Sequence, residues 1–179
     1  MGGYVKDIPK GNIQGGNILI FVTLGSQKFQ FDRLLKGIDK LIEAGEITDE
    51  VFAQTGYSKY KPKNFSYKCF LDRYEFKDVM NKCDKVITHG GTGAIVGALK
   101  QGKKVIAIPR LEKYGEHVDD HQLQIIEQFI KMNLIFGCEN IEELGAHYSK
   151  LDRTEFNTYK SNTNVIIDSI DRFICEGEE

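Results

Sequence analysis

Apolar residues along this chain alternate between two spacings. Residues 17–23 (Asn-Ile-Leu-Ile-Phe-Val-Thr) form a near-continuous apolar run, as expected of a strand covered on both faces. Leu24-Gly25-Ser26-Gln27 breaks it. Leu34, Leu35, Ile38, Leu41 and Ile42 then recur at helical spacing, with Asp32 placed to cap that helix and Gly45 to end it. Residues 50–55 and 65–70 read as strands around a polar loop at 56–64, and 74–82 as a short helix with Phe76, Val79 and Met80 turned inward. A fourth strand at 84–88 precedes a small-residue helix at 91–101 closed by Gly102; a fifth strand at 104–108 stops at Pro109. An amphipathic helix at 119–132, a short strand at 134–136 and helices at 141–149 and 162–175 follow.

Strands alternating with helices imply an α/β fold: a Rossmann-like parallel sheet of about six strands with helices on both faces. Residues 1–16 are glycine-rich and aperiodic, and read as a flexible arm ahead of one domain at 17–179. Ligands of such sheets sit beyond the carboxyl ends of the strands. Chemistry is therefore expected in the loops after Thr23, Thr88 and Pro109.

Charge narrows the partners. The net charge of -2, with both signs mixed along the chain, argues against a nucleic-acid footprint. The apolar runs are strand-sized, too short to span a bilayer, and the start lacks a secretory pattern. Cys69, Cys83, Cys138 and Cys175 form no CxxC pair, which reads as reduced thiols in a cytoplasmic setting.

The sharpest motif is Thr88-His89-Gly90-Gly91-Thr92-Gly93-Ala94, which leaves a strand and opens a helix. Glycines there let a ligand approach the backbone, and first-turn N–H groups suit a diphosphate. It is not a P-loop, because no Lys-Ser/Thr follows the last glycine; nor does it follow the first strand, as a dinucleotide fingerprint would. The loop after the fifth strand, residues 109–122, carries Arg110, Glu116, Asp120, His121 and Gln122, suited to phosphate and sugar hydroxyls. His117 and His121 are four apart, but no third metal ligand accompanies them.

His89 to Gly93, the helix end at 100–104, the run Val105-Ile106-Ala107-Ile108-Pro109-Arg110 and Asp120-His121-Gln122 together resemble the C-terminal domain of GT-B glycosyltransferases of the family 28 type. Within that family the chain is most similar to small donor-binding subunits of two-component UDP-sugar transferases. These include bacterial capsule or exopolysaccharide pairs and the dolichol-linked N-acetylglucosaminyltransferase. Residues 22–26 and Phe31-Asp32-Arg33-Leu34 fit the bacterial subgroup, and the resemblance runs from about residue 17 to 129.

The resemblance implies half of a GT-B fold. It places Gly25 and Ser26 beside the phosphates, Phe70 and Leu71 where backbone reads uracil, and His89, Gly90, Gly91, Thr92 and Gly93 around the diphosphate. Asp120, His121 and Gln122 would meet the donor sugar, a hexose or N-acetylhexosamine. Many relatives hold the ribose with a glutamate where this chain has Gly97, so Glu116 becomes the substitute candidate. Arg110 and His89 are expected to stabilise charge on the departing UDP, with no metal or other cofactor. The general base and acceptor site are expected on a membrane-anchored second subunit presenting a lipid-linked acceptor. That partner would hold the chain at the cytosolic membrane face. Val165, Ile166, Ile167, Ile170, Phe173 and Ile174 would either pack on the chain's own sheet or meet the partner. Two other readings compete: a non-catalytic activator of a partner transferase, and an unrelated nucleotide-binding or hydrolytic Rossmann-like protein.

Overall fold

The computed structural model describes residues 19–161. The strands are β1 (Leu19–Thr23), β2 (Glu50–Gln54), β3 (Ser66–Lys68), β4 (Lys85–His89), β5 (Lys104–Ile108) and β6 (Phe136–Gly137). All pairings are parallel, in the order β3-β2-β1-β4-β5-β6. The chain moves outward from β1 to β3, then jumps back to lay β4 on the other side of β1. In open parallel sheets a reversal of this kind is where ligands bind, so the carboxyl ends of β1 and β4 and the loops that leave them are taken as the crevice.

β1 and β4 are buried along their whole length, which explains their unbroken apolar runs. On one face Ile20, Val22 and Leu24 pack with Leu34, Leu35 and Ile38 of α1 (Asp32–Glu43) and with Leu144 and Leu151 of α5 (Leu144–Leu151). On the other, Phe21, Phe52 and Val86 meet α2 (Arg73–Lys82), α3 (Thr92–Leu99) and α4 (His121–Lys131) through Val79, Ile95 and Ile126. Phe21 lies 6.5 Å from the Phe52 ring and edge-on to Phe76 at 5.3 Å. Truncating such a fully buried ring to alanine costs about 3–5 kcal/mol.

At the amino ends of the strands, away from the crevice, Lys85 Nζ bridges Asp49 at 2.7 Å and Asp152 at 2.8 Å. Lys104 Nζ donates to the Leu151 and Asp152 carbonyls, so the end of α5 is fastened to the sheet.

Some local expectations are corrected. Asp32 is the first residue of α1 rather than its cap; Phe31 occupies the cap and makes no side-chain cap bond. The Asp32 carboxylate instead accepts from the N–H groups of Lys59 and Tyr60, ordering the loop after β2. Buried Asp39 does the same for Lys63, Asn64 and the Tyr60 hydroxyl. β6 is Phe136–Gly137, starting two residues later and ending one later than the apolar pattern at 134–136 indicates. The expected helix at 141–149 begins as a 3-10 turn, Ile141–Glu143, before α5. The expected arm at 1–16 and helix at 162–175 lie outside the described residues. Cys69, Cys83 and Cys138 are free thiols.

Candidate functional site

The turn after β4 is built by close approaches that only glycine permits. A Cβ on Gly90 would lie 2.7 Å from Gln122 Cβ, and one on Gly91 would run into the His89 ring. Gly25, at φ +71, brings the loop after β1 against the same imidazole, with an added Cβ 2.7 Å from His89 Nε2. Gly93 differs. Nothing stands within 4 Å of its Cβ position, so no packing demand within the described residues explains a glycine there.

Backbone donors divide the same way. Gln122, buried at the start of α4, accepts from Gly90 N at 2.9 Å and from Arg110 N at 3.0 Å through the same Oε1. Gly91 N donates to His89 Nδ1 at 3.0 Å. The N–H groups of Thr92 and Gly93, both exposed, have no hydrogen-bond partner among the described residues. They form the open N-terminus of α3, where the helix dipole favours an anion by about 0.3–1 kcal/mol. The available amides are therefore those of Thr92 and Gly93, three and four residues after the His89 at which the expected cradle begins.

His89 is 9% exposed, and its pKa is pushed down to about 4 by burial first, then by the nearby Arg110 cation and by His117. The imidazole is neutral at pH 7. Because Nδ1 accepts from Gly91, Nε2 carries the proton and faces the Gly25 loop. His89 can offer a neutral hydrogen bond there, but not a charge.

Arg110 is not on the open face. It is 1% exposed, its Nη2 donates to the Leu24 carbonyl at 2.6 Å and the Phe29 carbonyl at 3.3 Å, and Nε and Nη1 are buried without partners. Burial lowers its pKa to about 10, so it remains a cation. The expected bidentate contact with a phosphate gives way to a role inside the protein: Arg110 pins the loop after β1. Glu116 is also withdrawn as the ribose contact. It is 1% exposed, pairs with both Arg33 Nε at 3.0 Å and Arg33 Nη2 at 2.9 Å, and accepts from Leu111 N. Gly97 has nothing within 4 Å of its Cβ position, so α3 has room where relatives are implied to carry a glutamate.

Other expected residues reach the crevice rim. Ser26, Asp120 and His121 are exposed. Asp120 accepts from Glu112 N at 2.8 Å, and His121 Nδ1 meets Gln124 Oε1 at 3.1 Å, leaving His121 Nε2 outward. Phe70 is 42% exposed and stands edge-on to Tyr57 at 5.2 Å beside the exits of β2 and β3. Leu71 N is already held by Gln54 Oε1 at 3.2 Å.

Gln54 went unread in the sequence. Buried at the end of β2, it also donates from Nε2 to Gly25 O at 3.4 Å, joining the β1 and β3 exits. A buried amide closing the apolar run Val51-Phe52-Ala53 next to β1 is the signal that marks it. His117, tilted against Phe29 at 4.8 Å, completes the wall beside His89.

The sequence matches the glycosyltransferase family 28 C-terminal domain over residues 19–173. It is 30% identical over 130 residues to the UDP-N-acetylglucosamine transferase subunit ALG13 of Homo sapiens, an alignment covering 66% of this chain and 11% of the human protein. The chain thus spans only a small part of that relative. The fold is similar to the solution structure of ALG13, with TM-score 0.55, 15% identity and coverage of 89% of this chain and 96% of that one. It is also similar to the glycosyltransferase SnogD from Streptomyces nogalater, with TM-score 0.54, 25% identity and coverage of 86% and 40%. The six-stranded parallel sheet is one half of a GT-B architecture.

Proposed function

Because the chain belongs to the glycosyltransferase family 28 C-terminal domain family, we propose that it is the donor-binding subunit of a two-component UDP-sugar transferase. The observation that carries this reading is the open N-terminus of α3. Thr92 and Gly93 N–H groups are unclaimed among the described residues, Gly93 leaves space for a ligand, and neutral His89 stands alongside. The diphosphate would dock on those two amides, with Ser26 across the crevice. Preorganised N–H donors stabilise charge that grows as the glycosidic bond breaks, and no metal is needed for that task. His89 contributes as a neutral donor; Arg110 contributes by holding the loop after β1 in place. Tyr57 and Phe70 border the base end, and Asp120 and His121 the sugar end. The names of the matched relatives make UDP-N-acetylglucosamine the first donor to test.

A partner would supply the acceptor site and general base. We infer a membrane-attached partner with a lipid-linked acceptor in glycan, capsule or exopolysaccharide synthesis, and a cytoplasmic location for this chain. Among the described residues no helix is long and apolar enough to cross a membrane. One observation favours the activator reading: Arg110 and Glu116, two of the charged groups expected to touch the donor, are both engaged within the fold.

Calorimetry with UDP and UDP-N-acetylglucosamine tests the proposal. Gly93→Asp places a carboxylate against the docking amides and is expected to weaken binding at least about tenfold, a loss of about 1.4 kcal/mol, with the circular dichroism spectrum unchanged. Equal affinity in the variant would overturn the reading. No affinity in the parent chain, together with enhanced turnover by a partner, would establish the activator instead.

A further inference from the structure

Away from the crevice, the described residues hold a cluster of three different donor types. Cys138 Sγ, a carboxylate oxygen of Glu143 and a ring nitrogen of His147 all lie within 4.8 Å of one another. The fold brings them together in a defined way. A Cβ on Gly137 would run into Ile126 of α4, so that residue faces α4. Cys138, next in the chain, packs into the opposite cluster with Leu144, and its N–H is tied to Ala107 O at 2.9 Å. Glu143, the helical-φ/ψ cap residue just before α5, and His147 in its first turn are four apart, which puts them on the same side of the chain.

Burial and bonding set this thiol apart from the other buried one. Cys83 donates to the Met80 carbonyl at 3.3 Å. Cys138 is 1% exposed, and its thiol makes no hydrogen bond among the described residues. The His147 ring nitrogens are likewise unbonded there; its ring contact is Phe136 at 4.7 Å. Glu143 accepts from Glu139 N at 3.2 Å and from Asn140 Nδ2 at 3.5 Å, bonds that orient the carboxylate without using all its lone pairs. Cys138 is the buried member of the cluster, and Glu143 and His147 are half-buried.

We propose that Cys138, Glu143 and His147 bind a zinc ion. Thiolate, imidazole and carboxylate are the ligand types zinc takes, at about 2.3, 2.0 and 2.1 Å, which puts tetrahedral ligands roughly 3.2–3.8 Å apart. Donors within 4.8 Å close to that spacing by small side-chain rotations. On binding, the Cys138 S–H bond breaks, the Zn–S bond forms and the proton leaves to solvent. One thiolate and one carboxylate balance the divalent charge, and the fourth position stays open to water. β5 separates β6 from β4, so the ion stands apart from the α3 turn; its effect is to tie the edge of the sheet to α5. The site does not depend on the donor-binding reading.

The test uses the full chain carrying Cys69→Ser and Cys175→Ser. Cobalt(II) titration is expected to give a thiolate-to-metal charge-transfer band that saturates at one equivalent, is displaced by zinc, and is accompanied by a higher melting temperature. Glu143→Gln and His147→Ala, both at half-buried positions and expected to fold, should each weaken cobalt binding more than about 100-fold. Absence of a stoichiometric thiolate band would overturn the proposal. So would undiminished binding in both of these variants, or binding lost instead on His121→Ala.

Discussion

Gln122 offers a sharp test of how the crevice is held together. Its Oε1 is the shared acceptor for Gly90 N and Arg110 N, at 2.9 and 3.0 Å, and all three groups are buried. Gln122→Met keeps the length of the side chain and removes the acceptor. Each buried N–H left without a partner costs about 1–3 kcal/mol, so two give roughly 2–6 kcal/mol, and partial entry of water makes about 3 kcal/mol the working figure. For a chain of this size that is a fall in melting temperature of roughly 6–12 °C. Urea titration gives the free energy, and amide hydrogen exchange locates it: Gly90 and Arg110 should be protected in the parent and exchange rapidly in the variant. A shift of less than about 1 °C, with both amides still protected, would refute the idea that one oxygen joins the two loops.

Breaking the Arg33–Glu116 pair from its buried side, with Glu116→Ala, is expected to cost about 3 kcal/mol in urea unfolding, because Arg33 keeps its charge with the Pro109 carbonyl but no carboxylate beside it. His89 has a folded pKa near 4, below its unfolded value near 6.5, so the unfolded state binds the extra proton first. The His89 contribution is thus complete above pH 6.5 and is lost as pH falls toward 4, by roughly 3 kcal/mol in all. His89→Gln should flatten the pH dependence of stability in that window, measured as the difference from the parent. Gly93→Ala meets no atom within 4 Å and should leave stability unchanged or raise it by up to about 1 kcal/mol, while weakening UDP binding by calorimetry. Gly97→Glu should stabilise α3 by a similar amount and tighten UDP binding if the ribose lies over that position; weaker binding would count against that placement.

The architecture was legible because parallel strands buried on both faces leave continuous apolar runs; β1, β4 and β5 stood out for that reason. Strand ends were less so, since pairing rather than composition decides them. His89 belongs to β4 because it lies opposite Ile108 in the register. The start of α2 carries a sequence cue of its own, since Asp72 and Glu75 form a complete capping box. Within the site, sequence located the loops but not which donors remain available. Gln122 reaches Gly90 across 32 positions, and Arg33 reaches Glu116 across 83. Nothing local marks Arg110 as interior either. It follows the β5 exit like a surface residue, and the folded carbonyls of Leu24 and Phe29 draw it in.

Two of those long-range contacts bear on the segment from Arg110 to Glu116. One end is anchored to the Leu24 carbonyl, and the other to Arg33 of α1. A segment fastened at both ends cannot swing shut over a guest as a hinged flap does. Selectivity at that wall is therefore set during folding, and a guest that fits does not lose affinity to the ordering of a floppy cover.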